Sequence, residues 1–383
     1  MIAYNRQSLD NLDLQQQARE AYEKQLLTRE EYDRIRAAYP YVFYLPDIFI
    51  RIGLFILTII AAAAGLGLFL LAGFGGLSGL SLITYGVIAF VVLELFIYTR
   101  KMVGSGVDDA LLYFASALII SGLNFTSCAY LTPSNNCTII LALALFGMLR
   151  YADRLMTLVA YGAFLCLIFY MVRPLGPIAR ALLPFGVLGL SIAGYFLFTR
   201  LQKMTALRHY GSCLHLLRVA ALLSGYAAGN YYVIRELNTM ISGTPRPVAF
   251  GWLWWLLTAL IPIIYIVRGL RKKDFLFLWT GMALVAASIF TVRYYYHLLP
   301  AEIVMVIGGI ALIAGVYGLT RYLRTPKHGF TAAAPGHPHP LADLPAEGWI
   351  VAETFRSVAA QSANGGTHFG GGDTGGGGAG GQY

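Results

Sequence analysis

The sequence predicts an all-α, polytopic integral membrane protein, with about ten transmembrane helices in antiparallel hairpins, a short helical hairpin before them and a disordered glycine-rich tail behind. Three observations carry this prediction. Of the 383 residues, 57% are hydrophobic and only 12% charged, about half the charged fraction of a soluble domain. Apolar stretches of membrane-crossing length recur from Ile48 to Tyr322. Lipid cannot satisfy an exposed backbone, so each such stretch must be a helix. Finally, connections rich in Lys and Arg alternate with connections that are poor in them. A single water-soluble domain, a disulfide-rich module (the chain has four Cys) and a disordered chain are thereby excluded.

The chain divides into a cytoplasmic hairpin over residues 1–45, a membrane domain over 46–325 and a flexible Pro/Gly-rich cytoplasmic tail over 326–383. In the first part, residues 15–27 read as one helix. Thr28 and Glu31 then form a capping box, in which Thr28 covers an amide and Glu31 reaches back. The second helix runs to Tyr39, where Pro40 stops it. Leu26, Leu27, Tyr32, Ile35 and Ala38 give the pair an apolar inner side. So short a hairpin holds little core of its own, which predicts that it lies on the membrane domain or on a partner.

The ten spans fall at 48–72, 79–99, 109–126, 137–149, 155–173, 178–198, 211–233, 248–268, 274–296 and 301–322. The fourth is short, which suits a tilted span, a re-entrant one or one extended through the preceding loop. A strand alternative fails, because runs such as Ile59–Ala64 and Ile139–Phe146 are apolar on every side. Asp109, Asp153 and Asp274 begin odd-numbered spans, as suits the positive amino end of a helix. Gly225 and Gly229, and the ends of Ala61–Gly65, lie four apart, which lets helices approach closely.

Charge sets the orientation. Connections after even-numbered spans hold Arg100, Lys101, Arg150, Arg154, Arg200, Lys203, Arg208, Arg268, Arg271, Lys272, Lys273, Arg321, Arg324 and Lys327. The other connections hold Arg173, Arg180, Arg235, Arg246 and Arg293. Fourteen against five places both termini in the cytoplasm. The same arrangement accounts for much of the +9 net charge: these cations face anionic lipid, and nucleic acid is not an expected partner.

The segment Ala18-Arg-Glu-Ala-Tyr-Glu-Lys-Gln-Leu-Leu-Thr-Arg-Glu-Glu-Tyr-Asp-Arg-Ile, followed by Tyr39-Pro40 and a membrane domain, resembles a bacterial family of uncharacterised predicted membrane proteins. Its members place a hairpin of the form Leu-Leu, Thr/Ser-x-Glu-Glu before an array of spans. The resemblance implies that architecture and a bacterial inner membrane, and it implies no catalytic residue.

Charged groups inside lipid are costly, so each asks for a role. Arg218 lies about 10 Å into the seventh span, and Glu94 about 9 Å from the same side. With His215 and with Arg51 at the mouth of the first span, they form a candidate intramembrane polar site, in which Glu94 pairs with Arg218 or with Arg51. A second candidate is a rim at the outer face, made of Asn230, Arg235, Glu236, Arg293, His297 and Glu302 among tyrosines. It suits an anionic or aromatic ligand, or simple anchoring at the interface. Cys128 and Cys137 share one outer connection, and a disulfide between them would contribute about 2–3 kcal/mol.

No enzyme motif is found, and no cofactor is expected: Gly-x-x-x-x-Gly-Lys, His-Glu-x-x-His and Gly-x-Ser-x-Gly are all missing. The tail histidines His328, His337, His339 and His368 lack the Cys and fixed spacing of a zinc site, so no metal is expected. The expected function is that of an inner-membrane scaffold or sensor-like component, binding partners through its hairpin and tail. The alternative is a transporter or channel for a small solute or ion, its path near Glu94, His215 and Arg218.

Overall fold

The computed structural model describes residues 3–295, apart from 24, 42, 44–45, 73–75, 101–102, 127–131, 243–249 and 273, together with 310, 313, 317 and 321. Its elements are α1 (Arg6–Glu23), α2 (Arg29–Ala38), α3 (Ile48–Leu71), α4 (Gly79–Arg100), α5 (Val107–Thr126), α6 (Pro133–Tyr151), α7 (Arg154–Val172), α8 (Pro177–Gln202), α9 (Gly211–Gly229), α10 (Tyr231–Ser242), α11 (Gly251–Lys272) and α12 (Phe275–Tyr295). Short 3-10 turns at Arg173–Leu175 and Thr205–Tyr210 lead into α8 and α9. No strand occurs among the described residues. Seven helices there are long and apolar enough to cross a membrane: α3, α4, α5, α7, α8, α11 and α12. Two more, α6 and α9, have 19 residues each, about 28 Å of helix. The stretch expected to form the tenth span lies outside the described residues except for 310, 313, 317 and 321.

Local chemistry explains where the helices start. Asn5 begins α1, its Oδ1 accepting from the amides of Gln7 and Ser8. This helix therefore starts at Arg6 rather than near residue 15, and Gln25 at φ 58° turns the chain after it. The capping box at Thr28 and Glu31 is present. Thr132 caps α6 and Pro133 takes its first position, where no amide is needed. That cap extends the helix through the polar residues before Cys137, so α6 is longer than the expected 137–149. At the other extreme, the 211–233 span is interrupted. Asn230, at φ −85° and ψ 127°, leaves the helix and separates α9 from α10.

Packing follows the chain. Gly79 lies against Gly122 and Thr126 while Leu93 lies against Leu112, so α4 and α5 run in opposite directions. A Cβ on Gly122 would sit 2.6 Å from the Gly79 carbonyl oxygen, so this crossing admits only glycine. In α6 and α7, Gly147 meets Met156; between α8 and α9, Ser191 meets Gly225; between α11 and α12, Gly269 meets Leu278. Helix α3 rests on α5 and buries none of its own residues. Around it, an aqueous solvent would meet Ile52, Ile56, Leu57, Ile60 and Leu68 directly. Lipid is the solvent that suits this helix.

Two cores result. One gathers Leu93, Ile97, Leu111, Leu112, Ala144, Tyr151, Met156 and Ala160. The other surrounds α9, with Tyr195, Ala221, Leu222 and Phe277 in one cluster and Tyr226, Ile261 and Leu284 in the next. Helix α7 touches both α6 and α9 and joins the halves. The turns α4–α5, α6–α7, α8–α9 and α11–α12 gather at one end, with Arg150, Arg154, Arg208 and Asp274. These arginines make it the basic end of the molecule.

Candidate functional site

The densest polar cluster is at the basic end. Gly104 and Gly106 have φ +60° and +89°, and this left-handed backbone turns successive amides inward. The carboxylate of Asp108 fills the resulting hollow, accepting from the amides of Gly104 at 2.7 Å, Ser105 at 2.9 Å and Gly106 at 3.1 Å. It also accepts from the Ser105 hydroxyl at 3.1 Å and from Tyr4 at 3.5 Å. A Cβ at Gly106 would collide with the Arg51 carbonyl, so the loop is pressed onto α3. Burial, with Asp108 beside it, pushes the Tyr4 phenol far above its ordinary pKa.

Other acids in this cluster are also engaged. Glu94 takes both Arg150 Nε and Nη2 at 2.9 Å and the Tyr151 hydroxyl at 2.8 Å. Asp109 pairs with Arg51 at 2.5 Å. Asp153 caps α7 through the Met156 amide and accepts from Tyr113 at 2.8 Å. Tyr4, Asp108, Asp109, Tyr151 and Asp153, with Leu93 and Leu112, line a cavity of about 10 Å³, room for about one water.

The last carbonyls of α6 have no partner within their own helix. Distant segments supply the donors. The Ala3 amide reaches Arg150 O at 2.8 Å, Tyr210 reaches Leu149 O at 2.6 Å and Cys213 reaches Ala152 O at 3.1 Å. Asp10 of α1 pairs with Arg208, and Asn11 and Gln15 donate to the Pro40 and Tyr39 carbonyls. The N-terminal segment thus ties the α6–α7 turn to the start of α9. Burial raises the Tyr210 phenol as well.

The expected polar site is not assembled as one group. Glu94 pairs with Arg150, not with Arg218 or Arg51. Arg51 holds Asp109. Arg218 belongs to the other half, donating to Gln202 at 2.9 Å, Tyr195 at 3.2 Å and Asp274 at 3.3 Å, with its guanidinium 5.4 Å from the Tyr195 ring. His215 is exposed on α9. Depth in the membrane was legible from position along a helix, but lateral neighbours depend on which helices touch. Asp108 carried one available signal, an acid in the first turn of a helix directly after two glycines; Tyr4 and Arg150 carried none, because their partners come from distant segments.

At the opposite end Asn230 is a structural centre. Its Oδ1 accepts from the Tyr232 and Val233 amides, and its Nδ2 donates to Tyr226 at 2.8 Å and Thr291 at 3.0 Å. Arg235 lies 4.8 Å from the Tyr295 ring, which also meets Tyr231, Tyr232, Trp255 and Tyr294. Glu236 and Arg293 are part-exposed near this rim, while His297 and Glu302 lie outside the described residues. Cys137 is a free thiol within α6. Its helix begins before it, and Cys128, its expected disulfide partner, lies outside the described residues. So does the 326–383 tail. No group of His, Cys, Asp and Glu suited to a metal occurs among the described residues. The chain matches no protein-family model, no curated protein and no solved structure.

Proposed function

We propose that this chain is a bacterial inner-membrane protein of about ten spans with both termini cytoplasmic, and that it serves a non-catalytic role as a scaffold or sensor-like component. The observation that supports this reading is the tie of residues 3–10 to both halves at the basic end. A mobile solute path gains nothing from such a strap, whereas a protein that reports on a cytoplasmic contact needs one. Helix α2 is the exposed arm of the hairpin: it buries no residue and presents Arg29, Glu30, Asp33 and Arg34. Partners would meet the chain there and at the 326–383 tail, with the bilayer as the other constant neighbour.

Two measurements test the reading. Reporter fusions after residues 101 and 203 should place both on the cytoplasmic side; opposite sides would end it. Photocrosslinkers at Arg29 and Asp33 should trap a protein of one defined mass in native membranes. No such adduct, combined with solute flux in proteoliposomes, would move the function to the second reading. That reading, a transporter or channel for a small solute or ion, draws on the interruption at Asn230, since discontinuous helices mark transporter binding sites. It requires flux that Asn230→Ala abolishes.

A further inference from the structure

Asp10 reaches from α1 to the second half of the bundle and meets a group of basic side chains there. Its carboxylate pairs with Arg208 and lies 3.5 Å from His209 Nε2. Arg6, one turn earlier on α1, stands near the Tyr210 phenol. Arg154, at the start of α7, donates to Ser212 Oγ at 3.4 Å. The acids on the facing elements are Asp10, Asp13 and Asp153. Asp13 accepts from Gln17 on its own helix, and Asp153 is engaged by Tyr113 and the Met156 amide. Lifting α1 would carry away Asp10, Asp13 and Arg6 together, and would leave Arg208 and Arg154 facing the single carboxylate of Asp153. No side chain caps α9 at Tyr210, so the positive end of that helix adds to the field.

We propose that Arg208, His209 and Arg154 form a binding site for a phosphate-bearing anion, and that Asp10 occupies it as an internal substitute whose displacement releases α1. The chemistry matches on both sides. A guanidinium fork pairs with a carboxylate or a phosphate in the same planar fashion, and a phosphate offers more acceptor oxygens. Arg208 is 59% exposed at its side chain, whereas His209 is 14% exposed. One is free to change partners and the other is a fixed wall. An exposed ion pair is also weak enough to exchange. The corner lies where α9 begins, level with the headgroups if the basic end faces the cytoplasmic leaflet; only that choice of leaflet rests on the proposed function. Displacing Asp10 would loosen the segment that also carries the Ala3–Arg150 and Tyr4–Asp108 contacts.

Ser8 is buried on α1, so a Ser8→Cys thiol reports whether α1 has lifted. The full chain carrying it is placed in phosphatidylcholine nanodiscs, with and without phosphatidylglycerol, and its maleimide labelling is timed against the chain without that substitution. The anionic lipid should speed labelling about threefold to fivefold, the equilibrium weight of one exposed ion pair. Asp10→Asn should label fast in both lipids. Arg208→Gln with Arg154→Gln should remove the difference between lipids, and Lys203→Gln should preserve it. Inorganic phosphate added to phosphatidylcholine discs separates the sources: an equal rise identifies free phosphate, and no rise identifies a lipid headgroup. Equal rates in every medium, with Asp10→Asn still fast, would overturn the anion site and leave the N-terminal tie standing. Slow labelling in Asp10→Asn would overturn the tie as well, and with it the support for the scaffold reading. Loss of the lipid response in Lys203→Gln would also overturn the site, since the effect would then be diffuse charge.

Discussion

Asp108 and Asn230 perform the same task with different chemistry. Each is a buried polar side chain, 5% and 2% exposed, that gathers the amides at a break in the chain where a new helix begins. Asp108 does so with a full charge, beside Arg51, Tyr4 and a water-sized cavity at the basic end. Asn230 does so with a neutral amide among Tyr226, Thr291 and the aromatic rim. Burying an unpaired charge costs far more than burying an amide. A carboxylate is tolerable where five donors converge on it, and Asn230 has two amides and two hydroxyls instead. The contrast shows that this chain breaks its helices with whichever polar group the local supply of donors can satisfy.

The contrast can be broken at its charged side first. Asp108→Ala leaves three inward-facing amides and two hydroxyls without their acceptor, and it should cost about 3 kcal/mol or more. Chemical unfolding in detergent micelles would register this as a large fall in midpoint, and an unchanged midpoint would refute the account of the loop. Asn230→Ala should cost less, about 2 kcal/mol, because one cap and two hydroxyl contacts are lost without stranding a charge. Its effect should appear as faster hydrogen exchange in the first turn of α10, and protected amides there would show that another group does the capping.

Smaller effects sharpen the comparison. Glu94→Gln keeps the shape of the Glu94–Arg150 contact and removes its charge. Both side chains are 37% exposed, so the loss should be at most about 1 kcal/mol. Folded yield by size-exclusion chromatography should fall slightly; a collapse in yield would mean that this pair is more deeply buried than its exposure indicates. The smallest effect is the pH response of α2. Hydrogen bonds from the Thr28 amide and hydroxyl to Glu31 lower its carboxyl below the ordinary value. A depressed folded pKa contributes stability above the unfolded pKa and loses it as pH falls through the folded one. Acid should therefore fray the start of α2 in the native chain. In Glu31→Ala exchange rates at these amides should lack that acid step, and an identical step in both chains would remove Glu31 as its cause.

Much of the fold was legible because lipid imposes a simple rule. Backbone must be satisfied within each crossing segment, so length and apolarity alone locate helices such as α3, which beyond Arg51 carries no charged residue. Local caps were equally legible, as at Thr28 and Glu31, because a capping box needs only neighbours in sequence. The break at Asn230 was not, since Tyr231 to Ile234 continue the apolar pattern and only contact with Tyr226, Thr258 and Thr291 makes a non-helical residue affordable there. Nor was the start of α1, which depends on Asn5 and on the surface beneath Ser8.

Composition and periodicity determined that this chain is helical, multiply apolar and asymmetric in its basic residues, because those properties follow from each segment's own exchange of water for lipid. Which charges meet was decided by tertiary structure alone. Glu94 chose Arg150, Arg218 chose Asp274 and Asp10 chose Arg208, because partners are set by which helix ends lie side by side, and that packing depends on glycines and small residues many positions away.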